Sequence, residues 1–600
     1  MRNFLTFIKE LRVPKKQELI DAIASFTKKE FTIFIASFAV ALIATVILVG
    51  KVNSAFMVDI PTNGGTITEG IVGMPTLVNP VLSLSDADKD LTSLVYSGLM
   101  RKLPDGTLIP DLAESYTVSP DGMTYTFVIK KNAKFQDGSK VTADDVVYTI
   151  NQINDPLTKS PHKASWDGIS VSKKDDSTVV FTLKQPYISF MDNTTIGIMP
   201  MHIWKNINPA EFGLSTLNIK PIGSGPYKVK SVSKNSEGVP TQYSLERFNN
   251  FILGEPHIKY INIIFYNNES DLIKALSSHT IDQAGGISPE NADTVKNNGY
   301  IIHTATLPRI FGIFFNSANN KIFSDSSVVN AFDKALDRQE LINNILYGYG
   351  TLVHNPIPEF ILHDQSINDY KNASLDEARS ILDKAGWTLG ADGIRAKGGT
   401  TTVTKNVRVG GKTVTRTSTV NNGPVVKLIF SITTGDTPEL KNAASLIKDQ
   451  LEKIGAQVNI KIYESGQLNQ LIRTRNYEAL FFGQIINHES DLFSFWHSSQ
   501  KVDPGLNIAM YSNKNVDGIL ELAEKTLDPN QRIVQYGTLM KEFDKNIPAL
   551  LIYSPKYLYA TLPTLNNLKL DTLTTPSDRF SLVYSWYANT DHVWKIFTKQ

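Results

Sequence analysis

The sequence predicts an α/β protein held outside a membrane by one spanning helix, and three observations carry that prediction. Phe31–Gly50 is an apolar run without a charge. Beyond it, short strands rich in β-branched and aromatic residues alternate with amphipathic helices. Within that part, Val425–Thr433, Leu440–Ile454 and Val458–Tyr463 read strand, helix, strand, the βαβ order that lays two strands parallel.

At 600 residues the chain exceeds one ordinary core, so two or more domains are expected. A formal net charge of +1 gives no support for a nucleic-acid partner. The chain has no cysteine, which excludes disulfides, thiolate zinc, iron–sulfur ligation, a cysteine nucleophile and a lipid-modified cysteine.

The twenty residues Phe31–Gly50, bounded by Glu30 and Lys51, cover about 30 Å as a helix, the thickness of a bilayer's hydrocarbon. Arg2, Lys9, Arg12, Lys15, Lys16, Lys28 and Lys29 precede the run, against Glu10, Glu18, Asp21 and Glu30, and only Lys51 follows directly. That bias puts residues 1–30 in the cytoplasm and the bulk of the chain outside. The run is longer than a signal peptide's core and Asn53-Ser54-Ala55 is a poor cleavage site, so 31–50 reads as an uncleaved signal anchor. Leu19, Ile20, Ile23 and Phe26 suggest a short amphipathic helix, either on the inner membrane face or merely filling space. Residues 51–63 read as a tether.

In the exported part, Tyr125, Phe127 and Ile129 alternate with Thr124, Thr126 and Val128 as in a half-buried strand, and Asp137-Gly138 supplies the turn that follows. Thr142 and Asp145 form a capping-box variant that opens a helix. Gly223-Ser224-Gly225-Pro226-Tyr227 fails as a phosphate cradle, because it lacks a lysine and Pro226 removes an amide; its glycines suit a tight backbone approach. Asp337 is positioned to cap the helix Leu341–Leu346, and Ser374–Glu377 reads as a full capping box. Residues 394–423 read as an exposed β-hairpin around Gly410-Gly411.

The order of these pieces resembles the extracellular solute-binding proteins, family 5. The resemblance rests on Tyr125-Thr-Phe127-Val-Ile129-Lys130, Asp137-Gly138, Thr142-Ala-Asp-Asp145-Val146, Gly223–Tyr227, the run from Asn316 through Asp337-Arg338 to Gly348, and Glu377-Ala378 to Ala385-Gly386-Trp387. It implies a two-lobed periplasmic-binding-protein (Venus flytrap) fold of the large cluster C type with an extra subdomain. Lobe I would be 64–310, including a peripheral subdomain at about 83–222. Lobe II would be 311–550, and 551–600 would return to lobe I. The implied function is an ABC-importer receptor that captures peptides or a related solute between the lobes and passes them to a permease driven by an ATPase, as a monomer and without a cofactor. A sensor or scaffold of the same fold is the alternative. A secreted hydrolase is disfavoured because no nucleophile elbow, HExxH or metal-ligand spacing is present.

Strand crossings near 307–316 and 548–559 place the hinge at Phe311 and Tyr553. The family's peptide anchor aligns from Gly483: Gln484 replaces a tryptophan, Asn487 the aspartate that pairs with a peptide's α-ammonium, and His488 a tyrosine. Ile485 lies between them, and Glu489 or Asp491 offers a substitute charge. Met74, Thr76, Trp166, Phe482 and Trp496 complete the expected cleft lining, although aromatics at such positions more often fill cores.

Overall fold

The computed structural model describes residues 15–358, 373–409, 412–421, 423–486 and 489–594. They form two compact units, one running to Thr62 together with the C-terminal residues from Asn589, the other Asn63–Ala588.

In the first unit, helix Lys16–Ala24 precedes helix Lys28–Phe56. Thr27 caps the longer helix, its backbone N–H donating to Glu30 Oε2 at 2.8 Å. Lys28–Asn53 is the one helix among the described residues long and apolar enough to cross a membrane. The stretch expected as a tether is ordered instead. The helix continues to Phe56, and Met57–Pro61 then pairs antiparallel with Thr590–Trp594, Val58 opposite Val593. Trp594 donates its indole N–H to Asn53 Oδ1 at 2.8 Å, and its ring lies 6.3 Å from that of Phe56. Residues 590–594, expected in lobe I, thus belong to this unit, because a β-branched strand with an aromatic end finds its partner there.

The second unit is built on a 12-stranded mixed sheet. At its centre runs the long strand Ala549–Thr561. Its first half pairs with Arg309–Phe315 and its second with Ile301–Thr306 and Gln283–Gly285. Outward from the first half lie Ala479–Ile485, Ile429–Gly435 and Gln457–Tyr463; outward from the second lie Gly64–Val72, Ile258–Tyr266, Pro240–Arg247 and Tyr227–Lys234. The βαβ reading is what the structure has: 429–435 and 457–463 are parallel, with helix Pro438–Glu452 between them.

The polypeptide passes between the halves twice, at Leu307-Pro308 and near Ser554-Pro555 in mid-strand. Ser554 Oγ donates to Leu307 O at 3.1 Å and so ties the two passes together. A register shift between Phe311 and Gly312 bulges the long strand beside them.

The peripheral subdomain is a four-stranded sheet, Ala113–Val118, Thr124–Ile129, Thr178–Leu183 and Ile169–Asp175, backed by helix Ala143–Asn154. Tyr125, Phe127 and Ile129 are buried and their neighbours half-buried, as the period-2 pattern requires. Thr142 N–H donates to Asp145 Oδ2 at 2.8 Å, and Asp337 caps its helix by accepting from Glu340 N–H at 2.9 Å. Ser374 caps only one way: it accepts from Glu377 N–H, but its own N–H donates to Lys334 O at 2.8 Å, leaving no donor for the return bond of a full box. The 394–423 stretch contains the expected hairpin, Thr400–Val409 against Lys412–Asn421; Gly410-Gly411 lie outside the described residues.

The C-terminal return is fixed by a buried ion cluster. Arg579, 2% exposed, holds Glu69 of strand 64–72 at 2.8 Å and Asp90 of helix Asp86–Val95 at 2.7 Å. Tyr559 and Gln283 donate to the other Glu69 oxygen, each at 2.7 Å. Burial pushes the Glu69 carboxyl up, while the Arg579 charge and the Tyr559 hydroxyl pull it down.

Candidate ligand cleft

Strand Ala479–Ile485 is paired along one edge with Arg309–Phe315, from Ala479 opposite Phe315 to Ile485 opposite Arg309. On its other edge only Ala479 and Leu480 are paired, with Ile432 and Thr433. From Phe482 to Ile485 that edge has no strand partner among the described residues.

Gly483 sits directly opposite Phe311, whose ring lies 2.8 Å from where a Cβ on residue 483 would stand. That ring also stacks on Tyr553, centroids 5.3 Å apart, and Tyr553 Oη donates to Glu439 Oε1 at 3.3 Å. Gly483, Phe311 and Tyr553 are therefore abreast on three adjacent strands, beside the two interlobe passes. Burial raises the Glu439 carboxyl, so an acceptor that holds its proton more tightly than usual meets a deeply buried phenol.

Gln484 is 5% exposed and its buried Nε2 has no hydrogen-bond partner, whereas Ile485 is exposed and Phe482 half-buried against a core. Asn487 and His488 lie outside the described residues. Glu489, the substitute charge, is already engaged: Arg532 Nε donates to its Oε2 at 2.6 Å and Arg532 Nη2 to its Oε1 at 3.3 Å. Sequence reading missed this pair, since nothing local marks two residues 43 positions apart. Asp491 also has a partner.

A cavity of about 320 Å³ lies between this region and the peripheral subdomain, walled by Lys102, Thr107, Ser189 and Asp192 on one side and by Pro308 and Glu489 on the other. At its margin Ser189 Oγ and Ser490 Oγ are 3.0 Å apart.

The remaining expected cleft residues are scattered. Thr76 is exposed, and its loop is pinned by Asp88, whose Oδ1 accepts from Thr76 N–H at 2.7 Å. Met74 is half-buried against the lobe core. Trp496, 1% exposed, packs between Phe314 and Phe543, with centroids at 6.4 and 5.0 Å, in a core rather than on the open edge. Trp166, 2% exposed, packs on Phe181 and Phe190 and shows only an edge to a second cavity. A ring at the end of a short helix buries more apolar area inward than it would facing water.

The sequence profile of the bacterial extracellular solute-binding proteins, family 5 Middle, matches residues 107–504. The chain belongs to that family. It is 28% identical over 527 residues to the oligopeptide-binding protein AppA of Bacillus subtilis, covering 85% of this chain and 90% of that one. It is 22% identical over 509 residues to a dipeptide-binding protein of Escherichia coli, covering 80% and 87%. The structure of Bacillus subtilis AppA in complex with a nonapeptide superposes with a TM-score of 0.64 at 26% identity, over 88% of this chain and all of that one. The substrate-binding protein CtaP of Listeria monocytogenes gives 0.71 at 22%, over 88% and 100%, a likeness of fold. The protein is thus a two-lobed α/β solute-binding protein.

Proposed function

We propose that this protein is the membrane-anchored receptor of an ABC importer, and that it takes peptides by adding them as a strand to the open edge at Phe482–Ile485. The single observation that carries this reading is that edge. Four residues of regular strand, near the cavity of about 320 Å³ and next to both interlobe passes, present an edge that has no strand partner among the described residues. An extended peptide pairs with such an edge through main-chain hydrogen bonds whatever its side chains.

The charges favour a ligand held by its backbone over one held by its terminal ammonium. Glu489 is neutralised by Arg532, and an ammonium drawing it away would leave a guanidinium only 10% exposed without its counter-ion; breaking a buried pair costs about 3–5 kcal/mol. The relatives described as binding oligopeptides, including one seen with a nonapeptide, agree with a longer ligand.

Helix 28–53 keeps receptor and permease in one plane, raising their effective concentration. The lobes divide at the passes 307–308 and 554–555, so the hinge lies three or four residues from Phe311 and one or two from Tyr553. Native mass spectrometry of the full chain, released from detergent without denaturation, tests the reading. Bound masses that fragment as peptides are expected. A chain that carries none, and captures none from a random peptide pool, overturns it.

A further inference from the structure

Helix Lys28–Phe56 contains neither tryptophan nor tyrosine, the amphipathic aromatics that usually mark the interfaces of a bilayer around a spanning helix. Its outer end acquires one from the far end of the chain. Strand Thr590–Trp594 runs antiparallel to Met57–Pro61 and sets Trp594 opposite Met57, the first residue past the helix. The indole N–H is spent on Asn53 Oδ1 at 2.8 Å, and the ring stacks on that of Phe56 with 26° between the planes. The polar handle is thus satisfied while the ring stays 42% exposed, beside Phe56 at 57% and Val52 at 46%. The other five tryptophans, Trp166, Trp204, Trp387, Trp496 and Trp586, are each at most 2% exposed.

The level of this ring follows from the helix. At the helical rise, Asn53 stands about 5 Å and Phe56 about 9 Å beyond Gly50, where the uncharged run ends. The headgroup layer outside the hydrocarbon is about 5–7 Å deep on each side. Trp594 touches both residues and so falls in that layer or at its outer margin. The pairing also runs on past the strands, since Thr62 N–H donates to Asn589 O at 3.0 Å. The chain enters the second unit after Thr62 and leaves it before Asn589, so both connections start side by side from one ribbon.

We infer that Trp594 is a lipid-interface anchor, carried by the C-terminal strand into the headgroup layer at the outer end of the spanning helix. The helix supplies the attachment. Trp594 supplies the level and rotation at which the helix is held, as interfacial aromatics do. The partner is the headgroup and ester region of a phospholipid bilayer, met by an apolar ring whose N–H is already bonded. The inference rests on the membrane-anchored reading above and adds a second, C-terminal contact to it.

The test places the full chain in phosphatidylcholine vesicles whose acyl chains carry bromine, a contact quencher of tryptophan, either near the headgroup or near the terminal methyl. Bromine near the headgroup is expected to quench the emission more than bromine near the methyl end. Trp594→Phe is expected to lose that difference, with the emission maximum of the five buried tryptophans unchanged. Equal quenching by the two lipids, or a difference that survives in the variant, overturns the inference and leaves the anchor standing, provided the chain stays in the vesicles through carbonate washing. A chain that washes off overturns both.

Discussion

Replacing Arg579 by methionine removes the one cation of a cluster that joins three distant parts of the chain. The guanidinium makes four hydrogen bonds to two carboxylates, Nε and Nη2 to Glu69 at 3.1 and 2.8 Å, and Nη1 and Nη2 to Asp90 at 2.8 and 2.7 Å. Glu69 is 0% exposed and Asp90 2%, so neither regains water when its partner is lost. Stranding a buried charge in this way costs about 3–5 kcal/mol, against a total stability of about 5–15 kcal/mol for a typical domain.

Because the two-lobed unit is not expected to unfold in one step, the cost is best read locally. Native-state hydrogen exchange of strand Gly64–Val72 in the full chain should accelerate by about 10²–10⁴-fold, while strand Gln457–Tyr463 keeps its protection. Arg379→Met serves as control. Its partner Asp376 has a side chain 96% exposed, and surface pairs of that kind contribute little. Equal effects from the two substitutions, or less than threefold acceleration in 64–72, would refute the claim that this cluster locks the C-terminal return.

Three further outcomes are expected. Burial tends to raise the Asp325 carboxyl, but hydrogen bonds from Lys397, Ser327 and Trp387 overcome it and hold the group down at about 2, from an ordinary 3.8. The stability this confers, about 2 kcal/mol, is full above about pH 5 and lost as pH falls toward 2, so Asp325→Asn should flatten the acid limb of a stability profile between those values. Gly312→Val places a Cβ 2.7 Å from Leu550 O at the bulged crossing, and should change peptide affinity by about 5- to 150-fold without altering any cleft side chain; unchanged affinity in a folded variant moves the hinge elsewhere. The full chain should stay with membranes through carbonate washing and a 57–600 fragment should not; equal partitioning of the two argues against an anchor.

Local chemistry was the readable part of this sequence. The apolar helix, the alternating strand 124–129, the caps at Thr142 and Asp337 and the βαβ unit each follow from neighbours in sequence, and each is present. Ser374 shows where local reading stops: its N–H is claimed by Lys334, 40 residues away, a competitor no capping rule contains. The same limit governs the site. Gly483 was marked by its motif, yet its reason for being glycine is the Phe311 ring on the next strand. Glu489 read as a free counter-ion because Arg532 is distant in sequence, and the Glu69–Asp90–Arg579 cluster spans nearly the whole second unit. Trp496 could line the cleft but belongs to a residue type that more often fills a core, and Phe314 and Phe543 surround it there. The stretch 51–63 read as linker because its strand partner lies at the other end of the chain.

The central claim is that a peptide on the Phe482–Ile485 edge draws the two lobes together. The chain has no cysteine, so Lys174→Cys and Lys461→Cys, both exposed and on opposite lobes, can carry spin labels without background. Pulsed dipolar spectroscopy with and without a peptide pool should show the inter-label distance shift as a whole population when peptide is bound, as hinge closure requires. Peptide retained on the protein with the distance distribution unmoved would contradict the account.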